Sequence, residues 1–149
     1  MSYAVVVVGT DGSASSLKAV TRAAEVASAA GAGLFIVCAY HPMSAREQAI
    51  AEASLGDIRF YQVAGLDAAE NALALAAKDA TAAGVPNPYG RLVEGDAGQA
   101  LLSVAKEQSA DLIVVGNRGI NTLSGRLLGS VPSDVSQRAH CDVLIVHTT

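Results

Sequence analysis

The amino-acid sequence predicts an α/β fold: a single open five-stranded parallel sheet with helices on both faces. Two observations carry the prediction. The apolar runs Val5-Val6-Val7-Val8, Leu34-Phe35-Ile36-Val37-Cys38-Ala39 and Leu112-Ile113-Val114-Val115 are continuous rather than alternating, which is the pattern of strands covered on both faces. Between the runs the apolar period lengthens to that of a helix, and strands that alternate with helices pair in parallel through right-handed crossovers.

The first strand, Val5 to Val8, ends in Gly9-Thr10-Asp11-Gly12. From Ser15 to Ala30, Leu17, Val20, Ala23, Ala24 and Ala27 recur at helical spacing with Lys18, Arg22 and Glu25 between them, so a helix with one apolar face follows. Ser13 or Ser15 can cap its start through a side-chain oxygen, and Gly31 ends it. Leu34 to Ala39 is the second strand, closed by His41-Pro42. The stretch from Ser44 to Gly65 is compatible with either a helical turn or a loop. Leu66 to Ala83 regains helical spacing through Ala69, Leu73, Ala76, Ala77 and Ala80, and Gly84-Val85-Pro86-Asn87-Pro88 stops it. A strand from Tyr89 to Glu94 comes next, then a helix from Ala97 to Gln108 and the strand Leu112 to Val115. A short helix from Val131 to Ala139 and a last strand from Val143 to Val146 complete the order β-α-β-α-β-α-β-α-β.

A chain of 149 residues is of single-domain size, and residues 1–149 are assigned to one domain. Hydrophobic residues make up 51% and charged ones 16%, which excludes the disordered class; the abundance of alanine predicts close helix packing. A net charge of −4 without any run of Lys or Arg argues against a duplex nucleic-acid surface or an anionic membrane as partner. Met1-Ser2-Tyr3 lacks a basic region and leads into an apolar run too short for a secretory leader. No stretch approaches the roughly 20 apolar residues of a membrane span, and a cytoplasmic protein is expected. Cys38 and Cys141 stand in or beside strand segments without CxxC or Cys/His ligand spacing, so they are expected as small core residues rather than a disulfide or a metal site. His41, His140 and His147 show no metal-ligand spacing either.

The strand Leu112 to Val115 runs directly into Gly116-Asn117-Arg118-Gly119, and Gly129-Ser130 follows after nine residues. Glycines let backbone N–H groups approach a phosphate because no Cβ intervenes, and Ser130 opens a helix whose free N–H groups and positive dipole end favour an anion. Each glycine taken alone can equally be a turn or a helix start. Ligands of open parallel sheets bind beyond the carboxyl ends of the strands, where strand order reverses. Those ends are Gly9 to Ser13, Ala39 to His41, Gly95 and Gly116 to Gly119.

The spacing Gly-x2-Gly-x9-Gly-Ser resembles the pattern of the nucleotide-binding members of the universal stress protein family. Ala4 to Ser13 is similar to the family's opening strand and acidic loop, Val93-Glu94-Gly95-Asp96-Ala97 to the segment leading out of its third strand, and Cys141 to Val146 to its closing strand. The likeness is weakest between Tyr40 and Gly65. The resemblance implies a Rossmann-like sheet of the adenine-nucleotide α-hydrolase type. It implies an adenine nucleotide, ATP with or without Mg²⁺, bound by Gly9, Thr10, Asp11, Ala39, Gly95, Val115, Gly116, Asn117, Arg118, Gly119, Gly129, Ser130 and Val131. The role expected is stress response or nucleotide sensing. Cyclic AMP is the alternative ligand, because some members of the family bind it and the small Ala39 and Gly116 suit a compact nucleotide. The resemblance further implies a homodimer paired through Val143-Leu144-Ile145-Val146, an apolar strand that is a liability as an open sheet edge.

Asp11 is placed to receive a ribose hydroxyl or an adenine amino group, or to help hold a phosphate-bound metal; Asp at this point serves helix capping equally well. Arg118 can set a fixed charge beside phosphate oxygens, with Asn117 next to it, or can be solvated. Ser130 can cap the helix, donate its hydroxyl to a phosphate, or do both, while Val131 offers its backbone N–H. Pro132 stands where the family often has Ser or Thr and removes one donor. The GxGxxG fingerprint, the GxxxxGK[ST] loop and the GxSxG elbow are missing. No lysine lies within the phosphate motif to neutralise a transferring phosphoryl group, so turnover is not expected, with a slow ATP hydrolase as the enzymatic alternative. An interaction module with a vestigial pocket is disfavoured by the intact glycine spacing.

Overall fold

The structure is a computed structural model and describes residues 2–42, 46, 65–117 and 128–148. Its elements run β1 (Val5–Gly9), α1 (Ala14–Ala30), β2 (Gly33–Tyr40), α2 (Leu66–Ala82), β3 (Tyr89–Glu94), α3 (Ala97–Glu107), β4 (Leu112–Gly116), α4 (Ser130–Arg138) and β5 (Asp142–Val146). All five strands are parallel, in the order β3-β2-β1-β4-β5. The expected fold class is therefore the observed one, with only element ends displaced. Apart from Arg46 and Gly65, the stretch from Ser44 to Gly65 lies outside the described residues.

β1 is the central strand. Val6 stands beside Leu34 on one side and Leu112 on the other, Val7 beside Phe35 and Ile113, and Val8 beside Ile36 and Val114. Successive side chains of a strand point to opposite faces. Val6 and Val8 accordingly join one layer, with α1 and α2, while Val7 joins the other, with Leu101 and Val104 of α3 and Val135 of α4. All three valines are wholly buried, and full burial of each is worth about 1.5–3 kcal/mol. The helices of the α1 layer contribute mainly small side chains: Ala19, Ala23, Ala24 and Ala27 of α1 and Ala76 and Ala80 of α2 are all fully buried, against Leu34 and Ile36 of the sheet.

Of the two serines that can cap α1, Ser13 does so, its Oγ accepting the Ser16 N–H at 3.1 Å. Gly31 ends the helix in the left-handed region, at φ 69°. Asp96 caps α3 by accepting the Gln99 N–H at 3.0 Å. The cap expected from Ser130 is corrected. Gly129 holds the cap position of α4 without a side-chain cap bond, and Ser130 is the first helical residue. The turn falls at Gly129 because its N–H donates to the Asn117 carbonyl at 3.1 Å while its own carbonyl accepts the Ser133 N–H at 3.1 Å. Among the described residues, no helix is long and apolar enough to cross a membrane.

At the opposite end of the sheet, Asp111 ties the starts of β1 and β4. Its carboxylate accepts the Ala4 N–H at 2.9 and 3.2 Å and the Val5 N–H at 3.0 Å, and its own N–H donates to the Val5 carbonyl at 3.1 Å. The amides of Ala4, then of Val5, hold this carboxyl below the usual carboxylate range against an opposing effect of desolvation. A value lowered by folding gives stability that is present at neutral pH and is lost as pH falls below about 4. Asp111→Asn is expected to lower the urea midpoint at neutral pH and to flatten its decline in acid relative to the parent chain. Parallel declines in circular-dichroism titrations of the two proteins would refute this role.

Candidate functional site

Strand order reverses between β1 and β4, and the loops that leave their carboxyl ends part there to opposite faces of the sheet. Between them opens a cleft of about 580 Å³, its mouth included, lined by Gly9, Thr10, Asp11, Ser16, Val37, Ala39, Ala97, Leu101, Val115, Gly116, Val131 and Pro132.

The loop after β1 satisfies most of its own polar groups. Thr10 is 7% exposed; its N–H donates to the Val37 carbonyl at 2.9 Å, and its Oγ1 accepts the Gly12 N–H at 3.2 Å. The Ser16 hydroxyl donates to the Ser13 carbonyl at 2.9 Å and accepts the Asp11 N–H at 3.3 Å. With the Ser16 proton used in that way, the 3.0 Å contact between Thr10 Oγ1 and Ser16 Oγ has Thr10 as donor. Asp11 Oδ1 accepts the Ser13 N–H at 2.9 Å, bracing the turn, while Oδ2 carries no hydrogen bond among the described residues. The two roles open to Asp11 are thus compatible: one oxygen holds the loop and the other is free at the cleft.

The floor depends on Gly9. A Cβ added there would lie 3.2 and 3.3 Å from Leu101 Cδ1 and Cδ2, so the bare backbone lets α3 close on β1. At the rim, the N–H groups of Ser130 and Val131 have no partner among the described residues, the Gly129 N–H is held by Asn117, and Pro132 has none to donate. Cys38 is fully buried among Ala69 and Ala72 in the layer of α2. Burial, and secondarily the Asp11 charge, push its thiol up to about 11, so it is no nucleophile at neutral pH. Among the described residues no three His, Cys, Asp or Glu side chains come together to hold a metal.

Seven of the sequence-predicted residues meet at the cleft: Gly9, Thr10, Asp11, Ala39, Val115, Gly116 and Val131. Gly95, Asn117, Gly129 and Ser130 do not line it, and Arg118 and Gly119 lie outside the described residues. Asn117 turns its Oδ1 to Thr148, accepting the backbone N–H at 2.8 Å and the hydroxyl at 3.0 Å. Ser16, Val37, Ala97, Leu101 and Pro132 line the cleft without having been assigned to it from sequence. Two of them were within reach of periodicity. Val37 shares a strand face with Ala39, and Leu101 follows Ala97 by one helical turn.

Fold and cleft together define the class: an open parallel α/β protein whose ligand-accessible face lies at the reversal of strand order. The chain belongs to the universal stress protein family, whose model matches residues 2–147. Universal stress protein Rv1636 of Mycobacterium tuberculosis strain H37Rv is 49% identical over 148 residues, 99% of each chain. A universal stress protein of Thermus aquaticus is 32% identical over 144 residues, 97% of this chain and 98% of the relative. Among solved structures, a universal stress protein in complex with cAMP is 43% identical with a TM-score of 0.75, each chain covered completely. The crystal structure of Rv1636 is 44% identical with a TM-score of 0.61, covering 100% of this chain and 98% of that one.

Gly9→Val is expected to cost about 1–3 kcal/mol of stability, because the new side chain must displace Leu101 from a packed interface. Urea unfolding measures it, and an unchanged midpoint would show that Leu101 yields freely.

Proposed function

We propose that the chain binds an adenine nucleotide in this cleft, with cyclic AMP preferred, and that it senses or sequesters the nucleotide in the cytoplasm rather than turning it over. The observation that carries this reading is the start of α4: two amides, Ser130 and Val131, without a partner among the described residues, bounded by an occupied Gly129 N–H and by Pro132. Two donors at a positive helix end match the single charge of a cyclic phosphodiester. The apolar Val37, Ala39 and Leu101 suit an adenine face, and the free Asp11 Oδ2 suits the 2′-hydroxyl that a 3′,5′-cyclic nucleotide retains. The relative solved with cAMP, at 43% identity over the whole chain, supports the same assignment. Asp11 is the lone ionisable side chain among the described lining residues.

ATP with Mg²⁺ is the second reading, favoured by the Gly116-x2-Gly119-x9-Gly129-Ser130 spacing. Both readings are compatible with a homodimer. β5 is an outer strand of the described sheet, with Val143, Leu144 and Ile145 only partly buried, and pairing across a two-fold axis would cover it.

In calorimetric titrations cyclic AMP is expected to bind at least about tenfold more tightly than ATP with Mg²⁺, and Ala39→Leu to abolish both by filling the cleft. Tighter ATP binding would overturn the preference, and silence from both ligands would overturn the nucleotide reading. In sedimentation, Leu144→Lys is expected to halve the mass of the parent species; an unchanged mass would reject β5 as the interface.

A further inference from the structure

We infer that Thr148 and Asn117 form a latch that positions the anion-binding end of α4, so that Asn117 acts as a positioning residue rather than as a nucleotide contact; this rests on the nucleotide reading of the cleft given above.

Asn117 is a junction of four hydrogen bonds. Its N–H donates to the Val146 carbonyl at 2.9 Å, its carbonyl accepts the Gly129 N–H at 3.1 Å, and its Oδ1 accepts both the N–H and the hydroxyl of Thr148, at 2.8 and 3.0 Å. It therefore fastens the exit of β4 to the start of α4 across the intervening residues, and both to the end of β5. Thr148 is 4% exposed, and a threonine buried to that degree keeps its hydroxyl only where partners replace water. The partners are present and ordered in direction. Because Thr148 Oγ1 donates to Asn117, the 2.6 Å contact with Ser15 Oγ has Ser15 as donor, so a single chain of donors runs from Ser15 through Thr148 to Asn117. The Thr148 carbonyl also accepts the Lys18 ammonium at 3.3 Å, which adds a second tie to α1.

The latch stands behind the cleft wall. Ser15, Asn117 and Thr148 are not lining residues, yet Ser15 precedes Ser16 and Asn117 follows Gly116, both of which are. Through the Gly129 N–H, the Asn117 carbonyl sets where the next two amides, those of Ser130 and Val131, stand relative to β4. Losing the Thr148 hydroxyl removes one of the two hydrogen bonds that hold the Asn117 Oδ1, the Thr148 N–H keeping the other, and so loosens the Asn117 side chain while leaving the Val37, Ala39 and Asp11 side of the cleft intact. The latch thus acts on phosphate recognition and not on recognition of the nucleoside.

The test compares Thr148→Val, which keeps shape and loses the hydroxyl, with Thr148→Ser, which restores it. Thr148→Val is expected to weaken cyclic AMP binding about tenfold while adenosine binding is unchanged, and Thr148→Ser to recover the parent affinity. Equal weakening of cyclic AMP and adenosine, or no weakening of either, would overturn the latch. Amide exchange of Gly129 in the ligand-free proteins gives an independent readout, expected about tenfold faster in Thr148→Val than in the parent or Thr148→Ser. Unchanged exchange overturns the latch whether or not nucleotide binds, whereas a parent chain that binds no nucleotide overturns the proposed function and leaves the exchange test standing.

Discussion

The cleft exists because β1 has parallel neighbours on both sides. A strand flanked by β2 and β4 must be apolar on both faces, which Val6, Val7 and Val8 provide, and it fixes the point where strand order changes direction. Right-handed crossovers carry the chain from β1 outward to β3 over one face and from β4 outward to β5 over the other. The helices α1 and α2 therefore cover one side, and α3 and α4 the other. At the reversal no crossover fills the gap between the two departing loops. That vacancy is a topological necessity, and the residues around it decide what it can hold.

Those residues divide the work unevenly. After β1, Thr10, Asp11, Ser13 and Ser16 bond mainly to one another, giving a braced wall in which one Asp11 carboxylate oxygen has no partner among the described residues. On the far side the groups without a partner among the described residues are donors, the two amides at the start of α4. An acceptor on one rim and donors on the other impose a polarity on any occupant, hydroxyl toward β1 and anion toward α4, with an apolar floor of Val37, Ala39 and Leu101 between. Asp111 works at the other end of the same two strands, so the spacing of β1 and β4 is held from below as well as by pairing.

The fold was legible because its determinants are local. Four consecutive valines, a helical run of alanines and Gly31 as terminator each state their conformation without reference to the rest of the chain. The cleft was legible only as far as local chemistry reached. The strand ends Gly9, Ala39 and Gly116 were readable because topology places every strand end on one rim. Ser16 was not, since its place at the cleft depends on how far α1 rotates against the sheet, which packing settles. Asn117 and Ser130 mark the limit most sharply. Both sit inside the glycine motif, yet one turns to a threonine far along the chain and the other yields its capping position to the glycine before it.

The alanine layer beneath α1 has a consequence for how the protein tolerates change. With Ala19, Ala23, Ala24 and Ala27 already minimal in volume, these positions have little left to lose by truncation and no room for growth, whereas Leu34 and Ile36 opposite them are among the largest buried side chains. The usual hierarchy of a protein interior, in which trimming large side chains does most harm, is inverted at these four positions: a gain of one or two methylene groups would force helix and sheet apart. Sequence drift at these alanines is confined to a narrow range of sizes, whereas Leu34 and Ile36 of the same layer, like Leu101, Ile113 and Val135 of the other, have volume to exchange with their neighbours. Helix and strands within one layer thus evolve under different rules, and the helix that leads out of the β1 loop is the partner with least freedom to change size.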